Sequence, residues 1–372
     1  MNAERRRVAV TGANGFLGSN LVLRLVETGH HVEPIARETL RGEAKRKLVQ
    51  ADIIFHLAGT NRPKEDREYY RTNADYTSWL AGAVAAGGNK PLIIYASSAK
   101  AAEDSAYGLS KRAGEEILLE LAERGLAVAS IWRLPNLCGK WARPNYNSVV
   151  ATFCHNAARG EPLPIDDPAS PLTLLYVDDL IDQWLALVAN PPEGSGFAEP
   201  QKVHHTSVGD VADLIRAFAL KRSTGDLSDV GTGLPRALYA SFIAALPVEK
   251  ASYIVDARTD SRGAFVELFK TRTSGQFSYF TAHPGVTRGG HYHHSKVEKF
   301  LVAHGTGRFR FRHVLSGESY EVTSSACEAR MIETIPGWAH DVTNVGDDEL
   351  VVLAWASERF DPERPDTYPL PL

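Results

Sequence analysis

The sequence has little cysteine, no long apolar run and almost no net charge, and each shortage removes a class of protein. Only three cysteines occur in 372 residues, Cys138, Cys154 and Cys327. An odd number at no metal-ligand spacing argues against a disulfide framework and for a reducing compartment, the cytoplasm. No apolar stretch is long enough to span a bilayer, and no secretory leader is legible where Val8-Ala9-Val10 runs into Thr11-Gly12. The formal charge of −4 gives neither nucleic acid nor an anionic membrane a reason to bind, despite the short basic cluster Arg5-Arg6-Arg7. No solenoid-type repeat is present. What remains, 44% apolar and 23% charged residues, is the make-up of an ordinary globular chain long enough for two cores.

Two organisations follow one another along the chain. Over the first two-thirds of the chain, to near residue 250, short apolar runs alternate with helical-period segments. Strands are expected at Val8–Val10, His31–Ala36, Ile53–Leu57, Leu92–Ala96 and Ala127–Trp132, with a helix carrying Leu17, Leu21, Val22 and Leu25 and another presenting Leu118–Leu121. That alternation implies right-handed crossovers and a Rossmann-like, doubly wound parallel α/β sheet. Beyond Tyr253 the pattern becomes short strands, Gln276–Phe280, Lys299–Ala303, Arg308–Val314 and Leu350–Trp355. Turn signals at Pro284-Gly285, Ser316-Gly317 and Gly346-Asp347 separate them, which predicts an all-β sandwich or barrel. A bridge over 222–247, helical around Ala237–Leu246, sets the expected domains at 1–247 and 248–372.

Gly12-x-x-Gly15-x-x-Gly18 lies between the first strand and the first helix. Glycine there permits a tight turn and close approach of backbone to a pyrophosphate, and the helix start offers N–H groups to it. The second strand ends in Ala36-Arg37, where an NAD enzyme usually carries an acidic residue for the ribose hydroxyl. A guanidinium suits a 2′-phosphate instead, so the expected cofactor is NADPH. Tyr107-x-x-x-Lys111 follows a strand ending in Ser97-Ser98. Four residues apart on a helix, phenol and ammonium share a face, so Tyr107 can pass a proton while Ser98 holds a carbonyl oxygen. Tyr292-x-x-x-Lys296 has the same spacing without that context.

These pieces, with His56-Leu57-Ala58-Gly59, Arg133-Leu134-Pro135-Asn136 and Tyr176-Val177-Asp178-Asp179 in order, resemble an extended short-chain dehydrogenase/reductase acting on nucleotide sugars. The resemblance implies Ser98, Tyr107 and Lys111 as the catalytic set. It implies cofactor contacts at Gly12, Gly15, Phe16, Leu17, Gly18, Arg37, Leu57, Ala58, Gly59, Tyr107 and Lys111. It also implies Asn136, Arg143 and Asn147 on the sugar-nucleotide side.

The second region carries Gly285-x5-His291-x-His293-x4-Glu298-x6-Gly305, and later Gly337, His340 and Asn344. Residues two apart in a strand face one side, so His291 and His293 are expected to converge, with Glu298 and His340 completing a four-ligand set. Three imidazoles and a carboxylate suit zinc foremost, or iron, manganese or nickel. The spacing is similar to the first cupin motif; in the second motif Ile335 stands at the usual proline position and Pro336 is displaced by one. His294 reads as a bystander.

The fusion, with Asn61-Arg62-Pro63, Gly139-Lys140-Trp141 and the tail Phe360-Asp361-Pro362 through Pro365-Asp366-Thr367-Tyr368, resembles the CapF-type reductases of capsular polysaccharide and O-antigen synthesis across essentially the whole chain. That resemblance implies an oxidoreductase and epimerase acting on a UDP-linked 2-acetamido-2,6-dideoxy-4-hexulose. C3 would be inverted in the metal domain, and NADPH would then reduce C4 to give the L-talose sugar on the route to UDP-N-acetyl-L-fucosamine. Tyr292, Lys296, His304 and His313 can all carry the C3 proton, and a purely structural metal or a cupin dioxygenase fusion are the competing readings. A homodimer or higher homo-oligomer is the expected assembly.

Overall fold

The computed structural model describes residues 5–63 and 65–372. It divides into two compact units. One runs to Ile215 and takes up Thr232–Pro247; the other comprises Arg216–Gly231 and Val248–Leu372.

The first unit is built on six parallel strands in the spatial order His31–Ile35, Arg7–Thr11, Ile53–His56, Leu92–Ser98, Val128–Leu134, Gly196–Ala198. The central strands read as continuous apolar runs because both faces are covered. Val8, Val10, Ile53, Phe55, Leu92 and Ile94 face one core, shared with Leu21, Leu25 and Trp184 from helices Phe16–Glu27 and Val177–Ala189. Their neighbours Ala9, Ile54, Ile93 and Tyr95 face the other, closed by Leu48, Leu80, Leu118 and Leu121. The chain leaves the strand Arg7–Thr11 toward one edge and returns on its other side at Ile53–His56. The crevice where a doubly wound sheet takes its ligand therefore lies between the loops after these two strands. A smaller sheet of Asn136–Cys138, Pro171–Tyr176 and His204–Ser207 carries Asn136.

The second unit is a cupin-like β domain of two facing sheets. One contains Gly263–Thr271, Gln276–Ala282, Leu350–Ala356 and Glu298–His304; the other runs Ser319–Ser325, Thr306–His313, Trp338–Asn344, Thr287–Tyr292, Tyr368–Pro369. Phe280, Phe300, Val302, Phe309, Phe311, Val342 and Val352 form the core between them. The bridge helix begins earlier than its apolar spacing suggested, at Gly233–Ala244. The short strand Asp226–Leu227 pairs in parallel with Gly263–Thr271. Among the described residues no helix is long and apolar enough to cross a membrane.

Candidate functional site

The glycine loop is as close-packed as its spacing suggests. A Cβ on Gly12 would meet Ala58 N at 2.8 Å, and one on Gly18 would lie 2.1 Å from the Gly12 carbonyl oxygen. Gly15 precedes the helix Phe16–Glu27, and no side chain caps its start, so first-turn N–H groups near Phe16 and Leu17 are available to a phosphate. Gly18→Ala forces backbone against backbone. It is expected to cost about 1–3 kcal/mol of stability and to weaken dinucleotide binding roughly tenfold or more, checked by thermal melting and a fluorescence titration; unchanged binding would contradict the packing argument.

A buried hydrogen-bond chain ties the two sides of the crevice together. Thr11 Oγ1 accepts from Leu57 N (3.2 Å) and Ala58 N (3.1 Å) and lies 2.8 Å from His56 Nδ1. With both acceptor positions used, the Thr11 hydroxyl must donate to Nδ1. His56 Nε2–H then donates to Thr77 Oγ1 at 2.8 Å, and Thr77 donates to the Asn73 carbonyl at 2.5 Å. Burial, with the nearby Lys111 charge, pushes the His56 imidazole down to about 3, so the ring is neutral as this chain requires. The exposed Arg37 lies two residues beyond the end of the second strand. Its neighbour Glu38, to which no motif pointed, accepts from Asn14 Nδ2 at 2.9 Å.

Ser105 accepts from Gly108 N at 3.1 Å and caps the helix Ala106–Glu123, which puts Tyr107 in its first turn and Lys111 one turn on. Lys111 is 5% exposed. Its Nζ donates to the Ala96 carbonyl at 2.7 Å and sits 4.4 Å from the Tyr95 ring centroid. A Cβ on Gly59 would lie 3.7 Å from that Nζ, so the ammonium reaches the Ala58-Gly59 loop. Burial pushes Lys111 down to about 7, with Glu115 opposing. Burial also raises the Tyr107 phenol, while a hydrogen bond to Ser98 pulls it the other way. Tyr107 therefore holds its proton, which a donor to a carbonyl oxygen needs. Behind them Glu115, buried, is clasped by Arg133 Nε (3.0 Å) and Nη2 (2.6 Å) and accepts from Ser97. Asn136, Arg143 and Asn147 are all exposed in this unit, the Arg143 guanidinium lying 5.4 Å from the Tyr146 ring centroid.

In the second unit the donor atoms of His291, His293, Glu298 and His340 all lie within 4.8 Å of one another. Donors about 2 Å from one ion are at most about 4 Å apart, so a modest contraction closes them on a cation. His291 and His293 do not converge through the pleat of one strand, as their spacing suggested. The strand ends at Tyr292, and positive φ at Gly289 and Gly290, with a register shift between Gly289 and His291, turns both rings inward. His291 stands opposite His340 in register, their centroids 4.7 Å apart.

The hydrogen bonds show that this donor set fits a metal. His293 Nδ1 lies 2.5 Å from the Asp366 carbonyl oxygen, which can only accept, so Nδ1 carries the proton. In the neutral ring Nε2 then offers a lone pair, yet it faces Glu298 Oε2 at 3.1 Å. His340 Nε2 is 3.3 Å from the same oxygen, buried and without a hydrogen bond. A cation among these atoms resolves the conflict. Burial raises Glu298, but the adjoining His293 and His340 imidazoles outweigh it and hold the carboxyl well below the usual range. Burial, then His340, pushes His291 down to about 4. Asn344 donates to Ala282 and Asp348 carbonyls at 2.8 Å, holding the turn behind the site, and Gly337 N donates to the His293 carbonyl at 2.8 Å despite the displaced proline.

The cluster opens on a cavity of about 900 Å³ lined also by Arg258, Arg262, Arg288 and Lys296. Of the four proton carriers named from sequence, Lys296 lines this cavity. Tyr292 stacks on Tyr368, His304 is exposed, and His313 is engaged by Ser316. His294, the expected bystander, lies edge-on to Tyr368.

Family models match both units: one described as NAD dependent epimerase/dehydratase family over residues 8–198, and one described as polysaccharide biosynthesis C-terminal domain over 258–368. A relative from Pseudomonas aeruginosa, UDP-2-acetamido-2,6-beta-L-arabino-hexul-4-ose reductase, is 47% identical over 97% of this chain and 98% of its own. The crystal structure of capsular polysaccharide assembling protein CapF from Staphylococcus aureus is similar with a TM-score of 0.92 at 38% identity, covering 98% of this chain and 100% of that one. MoeE5 in complex with UDP-glucuronic acid and NAD is 26% identical with a TM-score of 0.50, over 59% of this chain and 82% of that one.

Proposed function

Because the chain belongs to the NAD dependent epimerase/dehydratase family, and over its whole length to the CapF-type reductases within it, we propose that it is a bifunctional UDP-sugar enzyme. Its substrate is UDP-2-acetamido-2,6-dideoxy-4-hexulose. Residues 248–372 invert C3, and residues 1–247 then reduce the C4 ketone to give UDP-2-acetamido-2,6-dideoxy-L-talose on the route to UDP-N-acetyl-L-fucosamine. The observation that carries this reading is the pairing of a Ser98-Tyr107-Lys111 set beside a glycine loop with a histidine-carboxylate centre open to a cavity, in one chain.

In the reductase the Tyr107 hydroxyl delivers its proton to the C4 oxygen while Ser98 holds that oxygen by hydrogen bonding. Lys111, anchored on Ala96, then faces the phenolate that remains. Bound NADPH supplies the hydride to C4. Gly12, Gly15, Gly18 and the Leu57–Gly59 loop would hold its phosphate and ribose side, and Arg37 would pair with the 2′-phosphate. Asn136, Arg143 and Asn147 face the nucleotide.

In the β domain the C4 ketone acidifies the C3 proton, so a base on one face and an acid on the other suffice to invert the centre. His291, His293, Glu298 and His340 would hold a zinc ion, which would supply Lewis-acid stabilisation of negative charge at the C4 oxygen. With four protein donors, catalysis at the ion requires a fifth ligand position, and His291, Glu298 and His340 line the cavity from which a substrate oxygen would reach it. Arg288, held by the Thr281 carbonyl at 2.6 Å, and Arg258 present cationic groups to a diphosphate at that cavity. The free thiols of Cys138, Cys154 and Cys327 suit the reducing cytoplasm, and a homodimer or higher homo-oligomer is the expected assembly.

The test is product stereochemistry. Incubation with the 4-keto sugar and NADPH is expected to give a sugar inverted at C3 and reduced at C4; a product reduced at C4 with C3 unchanged leaves a reductase alone. For the cofactor, Arg37→Ala is expected to lower kcat/KM for NADPH by about 10- to 100-fold, the worth of a charge-assisted bond to phosphate, with NADH use unaltered. Equal losses with both cofactors would remove Arg37 from the 2′-phosphate.

A further inference from the structure

We propose that Asp366 is a positioning residue for the metal centre, through which the C-terminal segment straps the His291–Glu298 region into its ligating geometry. The inference rests on reading the four side chains as a metal site. The loop between His293 and Glu298 has no regular structure of its own. Something outside it must fix where His293 points, and that something is 73 residues away in sequence.

The strap engages the loop through backbone and side chain together. Tyr368–Pro369 pairs antiparallel with the strand bearing His291, in the register His291↔Pro369 and Tyr292↔Tyr368. Leu370 N donates to the Gly290 carbonyl at 2.8 Å, and the Tyr368 ring lies 5.3 Å from Tyr292 and 4.7 Å from His294. Lys296 Nζ returns the contact, donating to the Pro365 carbonyl and to Thr367 Oγ1, both at 2.9 Å.

Asp366 sits at the middle of these contacts. Its Oδ1 accepts from His294 N at 2.9 Å, and its Oδ2 accepts from Ser295 N at 2.9 Å, Ser295 Oγ at 3.0 Å and Lys296 N at 2.8 Å. One carboxylate thus satisfies three consecutive backbone N–H groups that would otherwise leave the loop without a fixed path. Its own carbonyl oxygen accepts from His293 Nδ1. Carbonyl and carboxylate face the same loop because Asp366 takes φ +38, a left-handed conformation that Asp and Asn tolerate better than other side chains. The carbonyl fixes which nitrogen of His293 is protonated, and the carboxylate fixes where the ring stands.

Outer partners of metal-bound histidines typically matter 10- to 100-fold in affinity. In full-length protein, Asp366→Ala is therefore expected to bind zinc about 10- to 100-fold more weakly in a chelator competition and to alter the visible spectrum of the cobalt-substituted protein. Asp366→Asn keeps one acceptor oxygen, enough for Ser295 and Lys296, and the backbone preference, and is expected to recover part of both. If the alanine variant does not fold, Asp366→Gly removes the carboxylate while easing the backbone, and should still bind more weakly than Asp366→Asn. Zinc affinity within twofold of wild type and an unchanged cobalt spectrum in the alanine or the glycine variant would overturn the proposal. So would equal losses in the asparagine variant, which would mark a general destabilisation. A wild-type protein that binds no metal would instead sink the metal reading itself.

Discussion

Tyr107→Phe is expected to lower NADPH-dependent reduction of the keto sugar by about 10²- to 10⁴-fold, the usual worth of a positioned general acid. The substitution is close to isosteric. It keeps the ring that packs 5.6 Å from Tyr69 and leaves the Ser105 cap and the Lys111 anchor in place. What it removes is the hydroxyl whose pKa burial holds up and Ser98 pulls down. Because the loss falls on the reducing step, hydrogen exchange at C3 in the same variant should match wild type. The check is NADPH oxidation by absorbance beside C3 exchange by NMR. Reduction within tenfold of wild type would remove Tyr107 from the reaction, and a parallel loss of exchange would show that the two activities are not separable.

The second large effect is expected in the β domain. Replacing His291 and His293 together by alanine leaves Glu298 and His340, too few donors to hold a divalent ion tightly. C3 exchange should fall by at least about 10²-fold, on the scale of losing a preorganised stabiliser of developing negative charge. Zinc content should fall with it. A keto sugar supplied already inverted at C3 should still be reduced with NADPH, because Ser98, Tyr107 and Lys111 belong to the other unit. Circular dichroism and melting separate loss of chemistry from loss of fold. Exchange that survives in a folded, metal-free variant would make the centre structural.

The local signals in the sequence were legible, and the long-range ones were not. The glycine triplet was readable because strand, loop and helix follow one another within about a dozen residues, and a Cβ at Gly12 or Gly18 meets backbone. Tyr107 and Lys111 were readable because helical spacing puts them on one face. Strand ends shifted by a few residues: the fourth continues to Ser98, and the fifth runs Val128–Leu134. The clustering of His291, His293, Glu298 and His340 was legible from spacing, but the means of convergence was not, since a bulge at Gly289 and Gly290 does what the pleat was expected to do. Asp366 carried no sequence signal beyond its place in the tail, because its partners are His293 to Lys296. Arg216–Gly231 clusters with the second unit although the chain then returns to the first, an arrangement that depends on non-local contacts.

In the proposed reaction one chain inverts C3 without the nicotinamide and reduces C4 with it. The most direct measurement follows C3 of the 4-keto sugar by NMR in deuterated water with wild-type protein, first without NADPH and then with it. Deuterium is expected at C3 in the absence of NADPH, and on adding NADPH a C4-reduced product that carries deuterium at an inverted C3. A product reduced at C4 that keeps protium at C3, with no exchange before NADPH is added, would contradict it.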